Sequence, residues 1–230
     1  MKKTAHTPLP PEALAVLPPC PDPISILYQD EAFLLINKPA RLLSVPGRNP
    51  LNHDSVILRL QADYPGAAIV HRLDYDTSGI MVIPLTPASL SRISVAFQQR
   101  QVEKRYTAVV AGLPEEDEGE IDLPIAPDPE NRPCYRICPR SGKPSLTRYQ
   151  VLARDREAGQ SRLLLEPVTG RSHQLRLHLW AAGYPILGCP FYYRDNSREA
   201  AARLLLHATS LAFPHPVTGE TVRGESLPDF

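Results

Sequence analysis

Residue types that do chemistry crowd into one short stretch. His71, Arg72 and Asp74, followed by Thr77, Ser78 and Gly79, stand in the string HRLDYDTSG. A carboxylate held beside a guanidinium on a tight loop suits nucleophilic attack or proton abstraction, and both roles need it charged and fixed in position. A plain surface ion pair would use the same residues. The hydroxyls of Thr77 and Ser78 would need a base beside them to react. His71 is available, but no complete Ser/His/Asp arrangement is visible, and these residues are expected to shape the loop. Asp74 and Asp76 together leave open a glycosyl-hydrolase reading, with one carboxylate as acid and the other as base.

The flanking segments must position this loop. Ala68, Ile69 and Val70 lead into it and an apolar run from Ile80 to Leu85 leads out, which reads as two buried strands around a charged turn. Upstream, Ile24–Tyr28 and Phe33–Ile36 read as short strands about the turn Gln29-Asp30-Glu31. Asp54 is placed to cap a helix whose apolar face is Val56, Ile57, Leu60 and Tyr64, ended by Pro65-Gly66. Thr86 caps a second helix with Pro87 at its first position and Leu90, Ile93 and Phe97 as its buried stripe. Glu103–Ala111 alternates as a strand carrying Tyr106. Leu146–Ala153 and Arg162–Val168 pair about a turn at Asp155–Gln160. A third helix runs from His173 to about Ala182, closed by Gly183, with Leu175, Leu179 and Ala182 on one face. Short strands at Leu204–Leu206 and Thr209–Phe213 and a turn at Thr218-Gly219 end the chain. Many strands, few helices and no βαβα rhythm predict an α+β fold: one catalytic domain on a mixed, largely antiparallel sheet with flanking helices.

At 230 residues, with 43% hydrophobic and 22% charged residues, the chain matches a globular protein able to bury a core. No run approaches the ~18 apolar residues of a membrane helix. The N-terminus has lysines but no apolar segment behind them, so it does not read as a secretory signal, and the expected location is the cytoplasm. Residues 1–23 hold seven prolines and are expected to form an extended tail. Residues 24–230 then form the catalytic domain, with no room for a separate domain ahead of it. Cys134 and Cys138 lack a second pair to complete a zinc site, and His173 and His178 would lie roughly 140° apart on a helix; no metal site is expected. The net charge is zero, but its distribution is uneven. Glu115, Glu116, Asp117, Glu118 and Glu120 form an acidic cluster. Arg132, Arg136, Arg140, Lys143 and Arg148 follow without an acid among them, either as a solvated loop or as a basic face for phosphates.

The string HRLDYDTSG resembles the H-R-L-D-x-x-T-S-G signature of the RluA family of pseudouridine synthases. EKRYTAVVAG at 103–112 is similar to the family's second motif and PVTGRSHQLRLHL at 167–179 to its third. NKP at 37–39, SVPGR at 44–48, GYPILG at 183–188, LLLHA at 204–208 and HPVTGE at 215–220 follow the family's order, so the resemblance covers the chain from about Ile24 onward. It implies an isomerase that needs no cofactor, acting on uridines in loops of large-subunit (23S) ribosomal RNA and of tRNA anticodon stem-loops, and working as a monomer without a protein partner. It implies Asp74 as the catalytic carboxylate, Arg171 as the arginine paired with it, and Tyr106 as the ring stacked on the target base. Arg72 would fill the gap left by a flipped uridine, with His71 beside it at the substrate, and Arg136, Arg140 and Lys143 would meet RNA phosphates. A non-catalytic RNA-binding protein is the further alternative. The chain departs from the family at Gly188-Cys189, where members usually have Gly-Asp.

Overall fold

The computed structural model describes residues 15–230. Eleven strands and three helices follow in the order β1 (Ser25–Gln29), β2 (Phe33–Lys38), α1 (Val56–Gln61), β3 (Ser78–Pro84), α2 (Pro87–Gln98), β4 (Glu103–Ala111), β5 (Glu118–Asp122), β6 (Ile125–Pro127), β7 (Tyr135–Ile137), β8 (Leu146–Asp155), β9 (Gln160–Pro167), α3 (Gln174–Ala181), β10 (Leu206–Pro214) and β11 (Thr221–Glu225). Nine strands make one sheet in the order β1-β2-β3-β10-β4-β9-β8-β5, with β11 on β10, and β6-β7 form a separate ribbon. All the pairings are antiparallel except that of β10 with β3. The α+β expectation therefore holds, with a mixed and largely antiparallel sheet.

Strand β10 stitches the sheet together. Its first residues pair parallel with β3, as His207 with Ser78 and Ala208 with Gly79. Beyond this, the same edge of β10 takes β11 antiparallel from Ser210 onward. Its other edge lies along β4, with a register shift between Ala208 and Ser210. The two short strands expected near the C-terminus are thus one bulged strand. Gly79 is required at the crossing: its φ is +120°, and a Cβ there would lie 2.3 Å from the Ala208 carbonyl oxygen.

Two apolar cores flank this stitch. One gathers Phe33–Ile36, Val56, Leu60, Ile80–Ile83, Ile93 and Phe213; the other gathers Ala108, Val110, Leu163, Leu165, Leu175, Leu177, Leu179 and Leu206. Tyr106 packs against both. The β3 run is buried at all seven positions, as its unbroken apolar sequence requires. The entry segment Ala68–Val70, expected as a strand, is a loop held by one bond from the Ala68 N–H to the Pro84 carbonyl at 2.9 Å. β10 pairs β3 only at Ser78 and Gly79, and along the rest of that edge this loop meets β3 through the Ala68 bond and His71 instead of a strand ladder.

The helices refine the sequence reading. α2 has the expected Thr86 cap, in a reciprocal box with Ser89 and with Pro87 leading the first turn. The N-cap position of α1 is Ser55, which makes no side-chain capping bond, and Asp54, expected there, forms a 2.6 Å ion pair with Arg59. α3 is buried from Gln174 through Leu179, on every face, and not along a single stripe. No helix among the described residues is long and apolar enough to cross a membrane.

Of the segment read as a tail, residues 1–14 lie outside the described residues. Residues 15–23 form no helix or strand but are tied to the body: the Leu17 N–H donates to Asn52 Oδ1 at 2.8 Å, and Asn52 Nδ2 donates to the Ala15 carbonyl at 2.9 Å. The acidic and basic stretches are partly neutralised against each other, through Glu120–Arg148 at 2.8 Å and Asp117–Arg154 at 2.7 Å.

At the end of β2, Lys38 is fully buried and its ammonium nitrogen donates to the carbonyls of Pro39 and Leu42, each at 2.8 Å, and of Tyr75 at 3.3 Å. Burial pushes its pKa down to about 7, against the attraction of Cys20, Asp74 and Asp76. This one nitrogen ties β2 to the loop that carries Asp74. Lys38→Met keeps the apolar stem and orphans the carbonyls. The expected loss is about 3 kcal/mol, or roughly 6–12 °C in Tm for a chain of this size. A calorimetric Tm within about 2 °C of the parent would show that the loop does not depend on this nitrogen.

Candidate active site

The HRLD loop is gripped through its backbone. Ser44 Oγ donates to the Leu73 carbonyl at 2.8 Å and lies 3.2 Å from the Leu73 N–H. The Thr77 N–H closes a turn onto the Asp74 carbonyl at 3.1 Å, and Lys38 holds the Tyr75 carbonyl. His71, expected at the substrate, lines the cavity and is also bound into the scaffold. Its ring stacks on Phe97 with centroids 4.9 Å apart, and its Nε2 accepts the Val82 N–H at 3.1 Å. Burial, helped by repulsion from Lys104, pushes its pKa down to about 3, so the ring is neutral and its acceptor nitrogen is already occupied. Ser78 is likewise structural: its Oγ lies 2.8 Å from His207 Nδ1 across the β3–β10 contact.

The side chain of Asp74 meets Arg176, not Arg171. Arg176 Nη1 lies 3.4 Å from Asp74 Oδ2, and its Nη2 lies 3.5 Å from Asp76 Oδ2. The guanidinium is shared between two carboxylates and does not grip one in a double fork. Arg176 is 2% exposed, and its charge faces the rings of Phe191 at 5.1 Å and Tyr192 at 5.9 Å. Burial opposes that charge, but the Cys189 sulfur, Asp74 and Asp76 outweigh it and hold the pKa above its ordinary value. Cys189 therefore stands behind the arginine, fully buried, with its sulfur 3.4 Å from the Tyr192 N–H. Asp76 has its pKa raised by burial, with Arg176 pulling the other way and Asp74 adding to the rise.

Arg171 is exposed and points along the rim, where Nε and Nη2 each lie 3.4 Å from the Pro144 carbonyl. The cause is the backbone at His173, which sits in the left-handed region at φ 55°, ψ 14° as the residue before α3. The chain turns there, so Arg171 stays outside while Arg176, within the helix, faces inward.

These groups surround a cavity of about 460 Å³, lined among others by Asp74, Tyr106, Lys104, Arg72 and residues 169–176. That volume lies in the range of small-ligand sites. Tyr106 forms part of its wall, and burial, then Asp74, raises its phenol pKa, so it keeps its proton. Lys104, two residues before it on β4, reaches into the same cavity. Burial lowers its pKa, and it has no ion-pair partner among the described residues. Arg72 is exposed at the mouth, also without an ion pair among the described residues. Arg136, Arg140 and Lys143 are all exposed on and after β7. That ribbon is brought to the site because Tyr135 packs edge-on against His173 with centroids 5.4 Å apart.

Lys38, Lys104, His173 and Arg176 escaped the sequence reading. Arg176 carried a signal: it lies in the string LRLHL, where leucines on both sides put a charged residue in a helix that is apolar all round. An arginine there must be paired.

Comparison with known proteins agrees with this geometry. The model of the RNA pseudouridylate synthase family matches residues 32–181, more than half of the chain. The dual-specificity RNA pseudouridine synthase RluA of Yersinia pestis is 48% identical over 194 residues, covering 84% of this chain and 94% of its own. The RluA of Escherichia coli K12 is 46% identical over 215 residues, covering 93% and 97%. Among solved structures, human RNA pseudouridylate synthase domain containing 1 superposes with a TM-score of 0.79 at 32% identity, covering 93% of this chain and 86% of that one. The motifs, the cavity that unites them and these likenesses agree: the chain belongs to the RNA pseudouridylate synthase family.

Proposed function

We propose that this protein isomerises loop uridines of large-subunit ribosomal RNA and of tRNA anticodon stem-loops, with Asp74 as the catalytic carboxylate. The observation that carries the reading is the contact of a buried Arg176 with Asp74 at the wall of a cavity that also contains Tyr106. The dual-specificity relatives, alike over nearly their whole length, support both classes of RNA. The same reading has the enzyme act in the cytoplasm as a monomer.

In the reaction the bond from ribose C1′ to uracil N1 breaks, the base turns, and C1′ bonds to C5. The hydrogen on C5 is lost and N1 gains one, so nothing is oxidised and RNA mass is unchanged. Asp74 works at the ribose, as nucleophile or as base, and its side chain is the more open of the two carboxylates, 33% exposed against 19% for Asp76. Asp76 holds the other arm of Arg176. Tyr106 presents a ring to the uracil, whose π-face stacks on it and keeps water away. Lys104 supplies positive charge beside the ring, and Arg171 and the β7 ribbon offer charges at the rim for phosphates. A hydrolase using Asp74 and Asp76 fits less well. Acid and base flank the bond that breaks, whereas these two carboxylates share one guanidinium.

Asp74→Asn should fold and bind RNA but form no pseudouridine, assayed by nucleoside analysis of a tRNA stem-loop and of a ribosomal RNA fragment. Turnover near the parent rate would remove Asp74 from the mechanism, and free uracil as product would favour the hydrolase. Arg176→Met should lower kcat by roughly 100-fold or more, the scale of misplacing a catalytic group. Arg171→Met should mainly weaken RNA binding. The opposite ranking would return the pairing role to Arg171.

A uridine stacked in a duplex is out of reach of a carboxylate within the cavity, so the base must come out. A hairpin with the target uridine in its loop should be modified, and the same sequence in full duplex should not. Arg72→Ala should slow the hairpin reaction because the vacated stack is left unfilled. Replacing Arg136, Arg140 and Lys143 together with Ala should reduce the slope of log K against log salt. Equal rates on hairpin and duplex would end the flipping argument, and an unchanged salt slope would return the β7 ribbon to a solvated face.

A further inference from the structure

We propose that His173 is a positioning residue for this reaction: locked as the Nε2–H tautomer by Tyr192, it presents that N–H to Asp74 Oδ2. The proposal rests on the functional reading above and adds a second donor to the catalytic carboxylate.

The argument follows the protons. The Tyr135 N–H donates to Tyr192 Oη at 2.8 Å. Tyr192 Oη lies 2.8 Å from His173 Nδ1. Tyr192 is 6% exposed, and among the described residues its hydroxyl hydrogen has one acceptor available, His173 Nδ1. If Nδ1 carried a hydrogen, as in the other tautomer or the imidazolium, Tyr192 Oη would receive two donors and its own hydrogen would have no acceptor. A buried donor without a partner is disfavoured. Burial raises the Tyr192 phenol pKa, so the hydrogen stays on oxygen. Burial also lowers the His173 pKa, with Asp74 opposing and Arg176 adding, so the ring is neutral. Nδ1 is then the acceptor, and the ring hydrogen is on Nε2.

That nitrogen faces the site, 3.9 Å from Asp74 Oδ2. At that distance the N–H dipole faces the carboxylate electrostatically, short of a hydrogen bond. Oδ2 is also the oxygen that Arg176 Nη1 approaches at 3.4 Å. Both donors thus aim at one carboxylate oxygen, and Oδ1 is left to meet the ribose. The ring is kept in place by parallel stacking on Phe191 at 5.7 Å and by edge contacts to Tyr135 at 5.4 Å and Tyr192 at 5.6 Å. Its backbone is left-handed, a conformation uncommon for a residue other than glycine and one that concentrates where function constrains the chain.

The test reads the tautomer and the chemistry separately. In 15N-histidine-labelled full-length protein at neutral pH, long-range 1H–15N spectra of His173 should show a pyridine-like Nδ1 and a pyrrole-like Nε2. Tyr192→Phe should move both signals toward a mixture. In activity assays, His173→Asn, which tolerates the left-handed backbone but is too short to reach, should lower kcat by roughly 10- to 100-fold with little change in KM. His173→Gln, whose amide nitrogen extends as far as Nε2, should recover most of that loss. A pyrrole-like Nδ1 or an imidazolium in the parent overturns the proposal. Parent-like kcat in His173→Asn, or equal loss in the Asn and Gln variants, overturns it as well. Failure of the functional reading would look different: the parent itself would form no pseudouridine, while the spectra would still report the tautomer.

Discussion

An arginine that is 2% exposed on a helix packed on all sides sets the terms for everything around it. Taking such a charge out of water costs several kcal/mol, recovered only when opposite charge lies close by. For Arg176 that charge comes from Asp74 and Asp76, about a hundred residues earlier in the chain. The HRLD loop must therefore dock against α3. Lys38 grips the same loop from the other side through backbone carbonyls, so the loop is held at its side chains by one cation and at its main chain by another. A carboxylate held in this way gains in orientation more than in stability, since replacing buried ion pairs by apolar packing is often neutral for folding.

The two carboxylates on this guanidinium differ in environment and so in role. Asp76 is deeper, and burial raises its pKa despite the nearby arginine. Asp74 is more open to the cavity. Arg176 is compensated by both, Asp74 more strongly than Asp76, while Asp74 keeps the greater exposure to the cavity. Around them the cavity wall alternates aromatic faces and positive charge, as expected of a surface meeting both bases and phosphates.

Much of the fold was legible from periodicity. The Thr86–Ser89 cap, the β4 and β8–β9 strands and the end of α3 at Gly183 follow local rules that tertiary contacts did not overrule. Other features depended on neighbours absent from any local window. Ala68–Val70 has strand composition but meets the β3 edge through one backbone bond and no ladder. Asp54 has capping chemistry but a stronger partner in Arg59. The site shows the same division. Asp74 and Tyr106 stand out by type and motif, and the structure brings both to one cavity. The choice between Arg171 and Arg176 turned on one left-handed residue, His173, whose φ the sequence does not announce. His71 lines the cavity, but its acceptor nitrogen is occupied by the Val82 N–H, a partner that no local window shows.

Strand β10 was described as the stitch between the halves of the sheet, and its place in the chain has a temporal consequence. It lies between β3 and β4 in space but follows both by about a hundred residues in sequence. A chain emerging from the ribosome presents the Asp74 loop first and Arg176 much later, and the seam between the two cores stays open until Leu206–Pro214 arrives. Contacts this distant in sequence form slowly, because a long loop must close before they contribute. The two parts of the sheet, and with them the Asp74 loop and the strand of Tyr106, are joined through a segment that is made near the end of the chain.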